Sequence, residues 1–258
     1  MITNRITQLF DKKKGNILNV FFTAGFPNFD DTLFILKELE KAGVDMVELG
    51  MPYSDPLADG PTIQGSSLQA LDNGMTIKKL LEQLKEVRKE VSLPILLMGY
   101  LNPVIQYGLE KFCDEVGALG IDGLILPDLP MYEYKHQYKA IFERNNLSNI
   151  FLVTPQTSDE RLQEIDEVSE GFIYALSSNS TTGNEAANKS LGEQYLTSLS
   201  KKELKNPVLV GFNIKDKASY EQACLYGQGA IIGSAFIKAI NKEKLESSDI
   251  QNFVASIR

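Results

Sequence analysis

The sequence predicts an α/β fold, a single (β/α)8 (TIM) barrel spanning residues 1–258, on three observations. Eight short apolar runs with strand patterning recur along the chain, and amphipathic stretches of helical period separate them. The length of 258 residues suits eight strand–helix units, which need about 250. No charge run, linker or low-complexity segment divides the chain, so one domain is expected. A doubly wound sheet of this length would carry fewer strands and a topological switch.

Taken in order, the N-terminal segment spaces Ile2, Ile6, Leu9 and Phe10 as one face of an extra helix, and it lacks the continuous apolar stretch of a signal peptide. Strands are predicted over 17–23, 44–49, 94–99, 123–127, 150–154, 172–176, 207–211 and 230–233. Helical periodicity fills 31–42, 77–91, 103–116, 133–144, 159–168, 191–204 and 215–226, and a short helix is expected over 235–240, after strand eight. The polar stretch 177–190 falls between a strand and its helix, not between domains.

Composition limits the function. A net charge of −8 argues against nucleic-acid or anionic-membrane partners, so a phosphorylated metabolite would need a local anion site. No apolar run approaches the ~18 residues of a membrane span. The cysteines, Cys113 and Cys224, are far apart and suggest neither a disulfide scaffold nor a metal knuckle. A soluble protein of the reducing cytoplasm is expected.

Barrel active sites form at the C-terminal ends of the strands. There the most informative run, residues 44–64, puts Glu48 on the same face of strand two as Met46 and follows it with a proline-rich loop carrying Asp55 and Asp59. A carboxylate on an apolar strand face is either a structural acid with a buried partner or a catalytic group of raised pKa. The eight strands hold no lysine, which argues against a Schiff-base aldolase. The single histidine, His136, falls in a helix among tyrosines and lysines, away from the carboxylates, so imidazole-supported metal chemistry is not suggested. Acid–base work by carboxylates survives this elimination.

Strands seven and eight end in Gly211-Phe212-Asn213 and Gly233-Ser234, and Thr182-Gly183 follows strand six. Each glycine could serve a tight turn alone; together they suit a phosphate held by backbone N–H groups and a helix N-terminus.

From Thr23-Ala24-Gly25, through the run from Glu48-Leu49-Gly50 to Asp59-Gly60-Pro61, to Tyr100-Leu101-Asn102-Pro103, Asp128-Leu129-Pro130 and Gly233-Ser234-Ala235, the chain resembles the tryptophan synthase alpha subunit family over its whole length. That resemblance implies cleavage of indole-3-glycerol phosphate to indole and glyceraldehyde 3-phosphate without a cofactor, in tryptophan biosynthesis. By the same resemblance Glu48 is the proton shuttle and Asp59 the partner of the indole N–H. Phe21, Tyr100, Tyr174, Thr182 and Phe212 would bind substrate, while Gly183, Gly211, Asn213, Gly233 and Ser234 would hold the phosphate. Asp55, Pro56, Asn102 and Pro103 match an interface with a beta subunit that carries pyridoxal phosphate, in an alpha2beta2 tetramer through which indole passes. Ser180 and Asn213 stand where the family commonly has glycine, and Ser178 where some members carry arginine. Other classes compatible with the residues are a non-catalytic activator of the beta subunit and a different phosphate-binding barrel enzyme, such as indole-glycerol-phosphate synthase or a phosphosugar isomerase.

Overall fold

A computed structural model describes residues 2–57, 59–177, 185–211 and 213–258, the side chains of 185–189 excepted. Among the described residues one sheet contains nine parallel strands: β1 (Ile17–Thr23), β2 (Met46–Gly50), β3 (Ile95–Met98), β4 (Gly123–Ile125), β5 (Ser148–Asn149), β6 (Phe151–Val153), β7 (Ile173–Leu176), β8 (Val208–Gly211) and β9 (Gly229–Ile232). Strands β5 and β6 are two parts of one stave, parted at Ile150, whose N–H bonds to the Leu124 carbonyl at 3.0 Å. β5 pairs with β4 and β6 with β7, while β1 pairs with β9, so the sheet closes as the eight-stave barrel expected.

Alternation along each strand divides the core in two. Outward residues pack beneath the helices. Inward ones form a separate cluster to which every stave contributes: Ile17, Met46, Leu96, Ile125, Ile150, Phe172 with Tyr174, Leu209 and Ile231. Ile6 and Phe10 of the N-terminal helix Arg5–Lys12 join that same cluster, and the Phe10 and Phe172 rings lie 6.0 Å apart. The extra helix therefore plugs the floor of the barrel.

Polar contacts fix the plug. Asn4 caps the helix by accepting from the N–H groups of Ile6 and Thr7, and its own amide donates to the Asp122 carbonyl at 2.7 Å. Asp122, 1% exposed, accepts from Arg5 Nη1 at 3.1 Å, Arg88 Nη2 at 2.7 Å and the Ile95 N–H at 2.9 Å. One buried carboxylate thus ties the plug to β3 and to the helical segment before it.

Several elements depart from the sequence pattern. The stretch expected as one helix over 77–91 is two, Ile77–Gln83 and Val87–Glu90, joined by the 3-10 turn Leu84–Glu86. The proline-rich segment after β2 is not all loop, for a helix, Pro61–Asp72, begins with its proline at the first turn. The stretch expected as one helix over 103–116 is two, Leu101–Tyr107 and Leu109–Ala118, parted at Gly108 with φ +97°. A C-terminal helix, Ser247–Ile257, buries Ile250, Val254 and Ile257 on the outer core. No helix among the described residues is long and apolar enough to cross a membrane.

Candidate active site

Glu48 is the central residue of β2, beside Phe21 of β1 and Leu96 of β3 in the sheet register. Its side chain turns into the barrel and is 0% exposed. One oxygen, Oε1, accepts a hydrogen bond of 2.6 Å from Asn19 Nδ2, and Oε2 has no hydrogen-bond partner among the described residues. Burial raises the carboxyl from 4.5 to about 8, and the Asn19 bond opposes part of that rise. At neutral pH the group is therefore largely protonated, yet close to the point at which it gives its proton up.

Asp59 comes from the loop between β2 and the helix Pro61–Asp72, and its Oδ2 accepts from the Tyr100 hydroxyl at 2.9 Å. Gln64, one turn into that helix, donates to the Asp59 carbonyl at 2.6 Å and pins the backbone. Burial raises the Asp59 carboxyl, against the lowering effect of Tyr100. The loop helix is itself fastened to the strand ends by the Thr23 and Ser66 hydroxyls, 2.7 Å apart.

Phe21, Gly50, Tyr53, Asp59, Met98 and Tyr100 line a narrow recess at the C-terminal ends of β1 to β3. Glu48 lies beneath it. Gly50 leaves room for the Phe21 ring, since a Cβ there would approach Phe21 Cζ to 2.7 Å. Tyr174, in β7 and 8% exposed, lies near enough to both carboxylates that their charges add to burial in raising its phenol well above 10. It therefore stays protonated, able to donate but not to act as a base.

Residues 7–257 match the family described as tryptophan synthase alpha chain. The tryptophan synthase alpha chain of Flavobacterium johnsoniae is 53% identical over 255 residues, covering 99% of this chain and 100% of that one. The alpha chain of Christiangramia forsetii is 51% identical, with 99% and 98% covered. The chain belongs to the tryptophan synthase alpha chain family. The solved tryptophan synthase subunit alpha of Legionella pneumophila superposes with a TM-score of 0.86 at 30% identity, covering 99% of this chain and 97% of that chain. A structure from Aquifex aeolicus gives 0.86 at 32%, with 99% and 98% covered. The reaction of the tryptophan synthase alpha family is cleavage of indole-3-glycerol phosphate, and this chain is accordingly a carbon–carbon lyase of tryptophan biosynthesis.

Within that family frame, the structure brings Glu48, Asp59, Phe21, Tyr100 and Tyr174 to one end of the barrel. Thr182, Gly183 and Phe212, expected to bind substrate or phosphate, lie outside the described residues, as do Ser178 and Ser180. Of the remaining phosphate candidates, Gly211 ends β8 and Gly233 precedes the helix Ser234–Ile240, which starts at the exposed Ser234. Asn213 adopts φ +60°, the left-handed conformation that asparagine accepts better than most residues. Gly211 has a packing reason to be glycine as well: a Cβ there would lie 2.2 Å from Tyr174 Cε2.

Asp55 is exposed in the loop, hydrogen-bonded by Ser54, with Pro56 and the exposed Leu57 following. Asn102 and Pro103 lie in the first turn of the helix Leu101–Tyr107, and Asn102 Nδ2 donates to the Tyr53 hydroxyl at 3.3 Å, joining the two candidate interface segments. Asp128 caps that helix by accepting from the Leu101 N–H at 2.9 Å. His136 is exposed and its ring packs tilted against Tyr132 at 4.4 Å, on a helix away from the carboxylates.

Sequence reasoning passed over Asn19. The signal was available, for Asn19 is a polar residue on the same strand face as Ile17 and Phe21.

Proposed function

We propose that Glu48 is the acid–base group and Asp59 the electrostatic partner in this cleavage. The observation that supports the pair most is the neutral, fully buried Glu48 carboxyl, with its ionisation near pH 8, beneath a recess bordered by Asp59. An indole carbon is a poor leaving group until C3 is protonated. Glu48 delivers that proton and becomes a carboxylate, and the ring becomes an indolenine with positive charge at nitrogen. Asp59, ionised, accepts the ring N–H bond and stabilises that charge. Glu48 then takes the proton of the glycerol hydroxyl beside the scissile bond. The bond's electron pair returns to the ring and restores indole, while the hydroxyl carbon becomes the aldehyde of glyceraldehyde 3-phosphate.

Phe21, Tyr100, Tyr174 and Phe212 would sandwich and orient the indole. The N–H groups of Gly183, Gly211, Asn213 and Gly233, with Ser234, would receive the phosphate, and Thr182 would steady Asp59. No step needs a cofactor, and pyridoxal phosphate belongs to the beta subunit. That partner would dock on the face carrying Asp55, Pro56, Asn102 and Pro103, giving an alpha2beta2 tetramer in which indole passes inward to the second site. The cytoplasm is the expected location, and the chain is taken as one domain.

The test is cleavage and binding measured together. Glu48→Gln should lower turnover by at least about 10³-fold while indolepropanol phosphate still binds within a few-fold of wild type. Asp59→Asn should lose a comparable factor. Turnover near wild type in either variant would overturn the assigned roles.

A further inference from the structure

We infer that Asn19 is a positioning residue for the reaction, holding Glu48 Oε1 so that Oε2 is the oxygen that exchanges the proton. The inference rests on the acid–base role proposed for Glu48 and adds to it the identity of the working oxygen. Asn19 is 0% exposed on the inward face of β1, in a central position where an apolar residue would pack at lower cost. Its Oδ1 has no hydrogen-bond partner among the described residues, so the amide's one useful polar contact is the 2.6 Å bond from Nδ2 to Glu48. In the sheet register Asn19 pairs with Met46, two residues closer to the floor than Glu48. The bond therefore tethers Oε1 on the side away from the recess, and a carboxyl pinned at one oxygen keeps a single orientation through both proton transfers.

The same bond bears on when Glu48 ionises, because an N–H donor favours the charged form against the burial that disfavours it. Tyr174 from β7 is the ionisable group that feels the Glu48 charge, and Asp59 from the loop above acts on the same phenol. Neither is altered by a change at position 19.

Two variants and two readouts test this. Asn19→Leu keeps the approximate volume and removes the donor; Asn19→Asp keeps the shape and sets a second acid beside the first. The pH at which Glu48 ionises can be read by carbon-13 NMR of carboxyl-labelled glutamate, with Glu48→Gln identifying the resonance. It should rise by about one pH unit in Asn19→Leu and by more in Asn19→Asp. In cleavage assays both should lower kcat about tenfold and leave KM for indole-3-glycerol phosphate within about twofold, since Asn19 does not touch substrate. Should Asn19→Leu fail to fold, the isosteric Asn19→Asp decides the matter. Folded variants with the wild-type ionisation pH and wild-type kcat would overturn the inference about Asn19 alone, provided Glu48→Gln is inactive. An active Glu48→Gln would instead overturn the role of Glu48 itself.

Discussion

The Tyr100 hydroxyl holds Asp59 Oδ2 at 2.9 Å, so the loop carboxylate is oriented by a residue just beyond the end of a different strand, β3. The contact couples the Asp59 loop to the segment leading into Asn102 and Pro103, because the Tyr100 ring also packs against Tyr53 at 5.4 Å. A movement of either segment changes the setting of Asp59.

Tyr100→Phe keeps the ring and removes the donor. Asp59 works ionised, and the lost hydrogen bond leaves burial unopposed, so its carboxyl rises further. The acid limb of kcat/KM should move to higher pH, with a loss of about tenfold at pH 6 and a smaller one at pH 8. A pH–rate profile of the variant against wild type checks it.

Glu48 links stability to pH. Its folded-state carboxyl is raised from 4.5 to about 8, so between those values the folded chain holds a proton that the unfolded chain has released. Stability is then complete below about pH 4.5 and falls as pH rises through about 8. At about 1.36 kcal/mol per pKa unit, the gap sets a ceiling of ~5 kcal/mol on the loss. Glu48→Gln carries no such proton, and its urea midpoint should gain on wild type from pH 5 to about pH 8 and level off above that.

Gly211→Ala would drive a methyl group into Tyr174, whose Cε2 would lie 2.2 Å from it. Overpacking of this kind costs about 1–3 kcal/mol. Replacing Tyr174 by Ala first should bring the cost of the same change below about 1 kcal/mol, and a double-mutant cycle in urea measures the coupling. Equal costs in the two backgrounds would mean that the glycine answers to something other than the ring.

Asp122→Ala removes the acceptor shared by Arg5, Arg88 and the Ile95 N–H. Breaking a buried pair by deleting one partner costs about 3–5 kcal/mol. The thermal midpoint should fall sharply, while cleavage at 25 °C by the remaining folded enzyme should persist, because the substitution lies at the floor, far from the recess.

The barrel was legible because parallel strands buried on both faces read as apolar runs, and Ile17–Thr23 and the helix Asp159–Val168 fall where the pattern put them. Pro61–Asp72 escaped notice because Gly65, Ser66 and Ser67 blur its apolar stripe, and its burial depends on the Thr23–Ser66 contact. The break at Gly108 is a matter of one backbone angle that composition does not announce. Glu48 and Asp59 could be picked out because charge in an apolar or proline-rich setting is conspicuous. Asn19 could not be tied to Glu48 without the register, which sets the amide beside Met46, one step below the acid on its own side of the sheet.

The helix seated in the floor gives the barrel the form of a cup. With Ile6 and Phe10 filling its base, the phosphate ester and both fragments of its cleavage must cross the same rim. A partner seated on the rim would then decide which of the two fragments goes back to water and which is handed on.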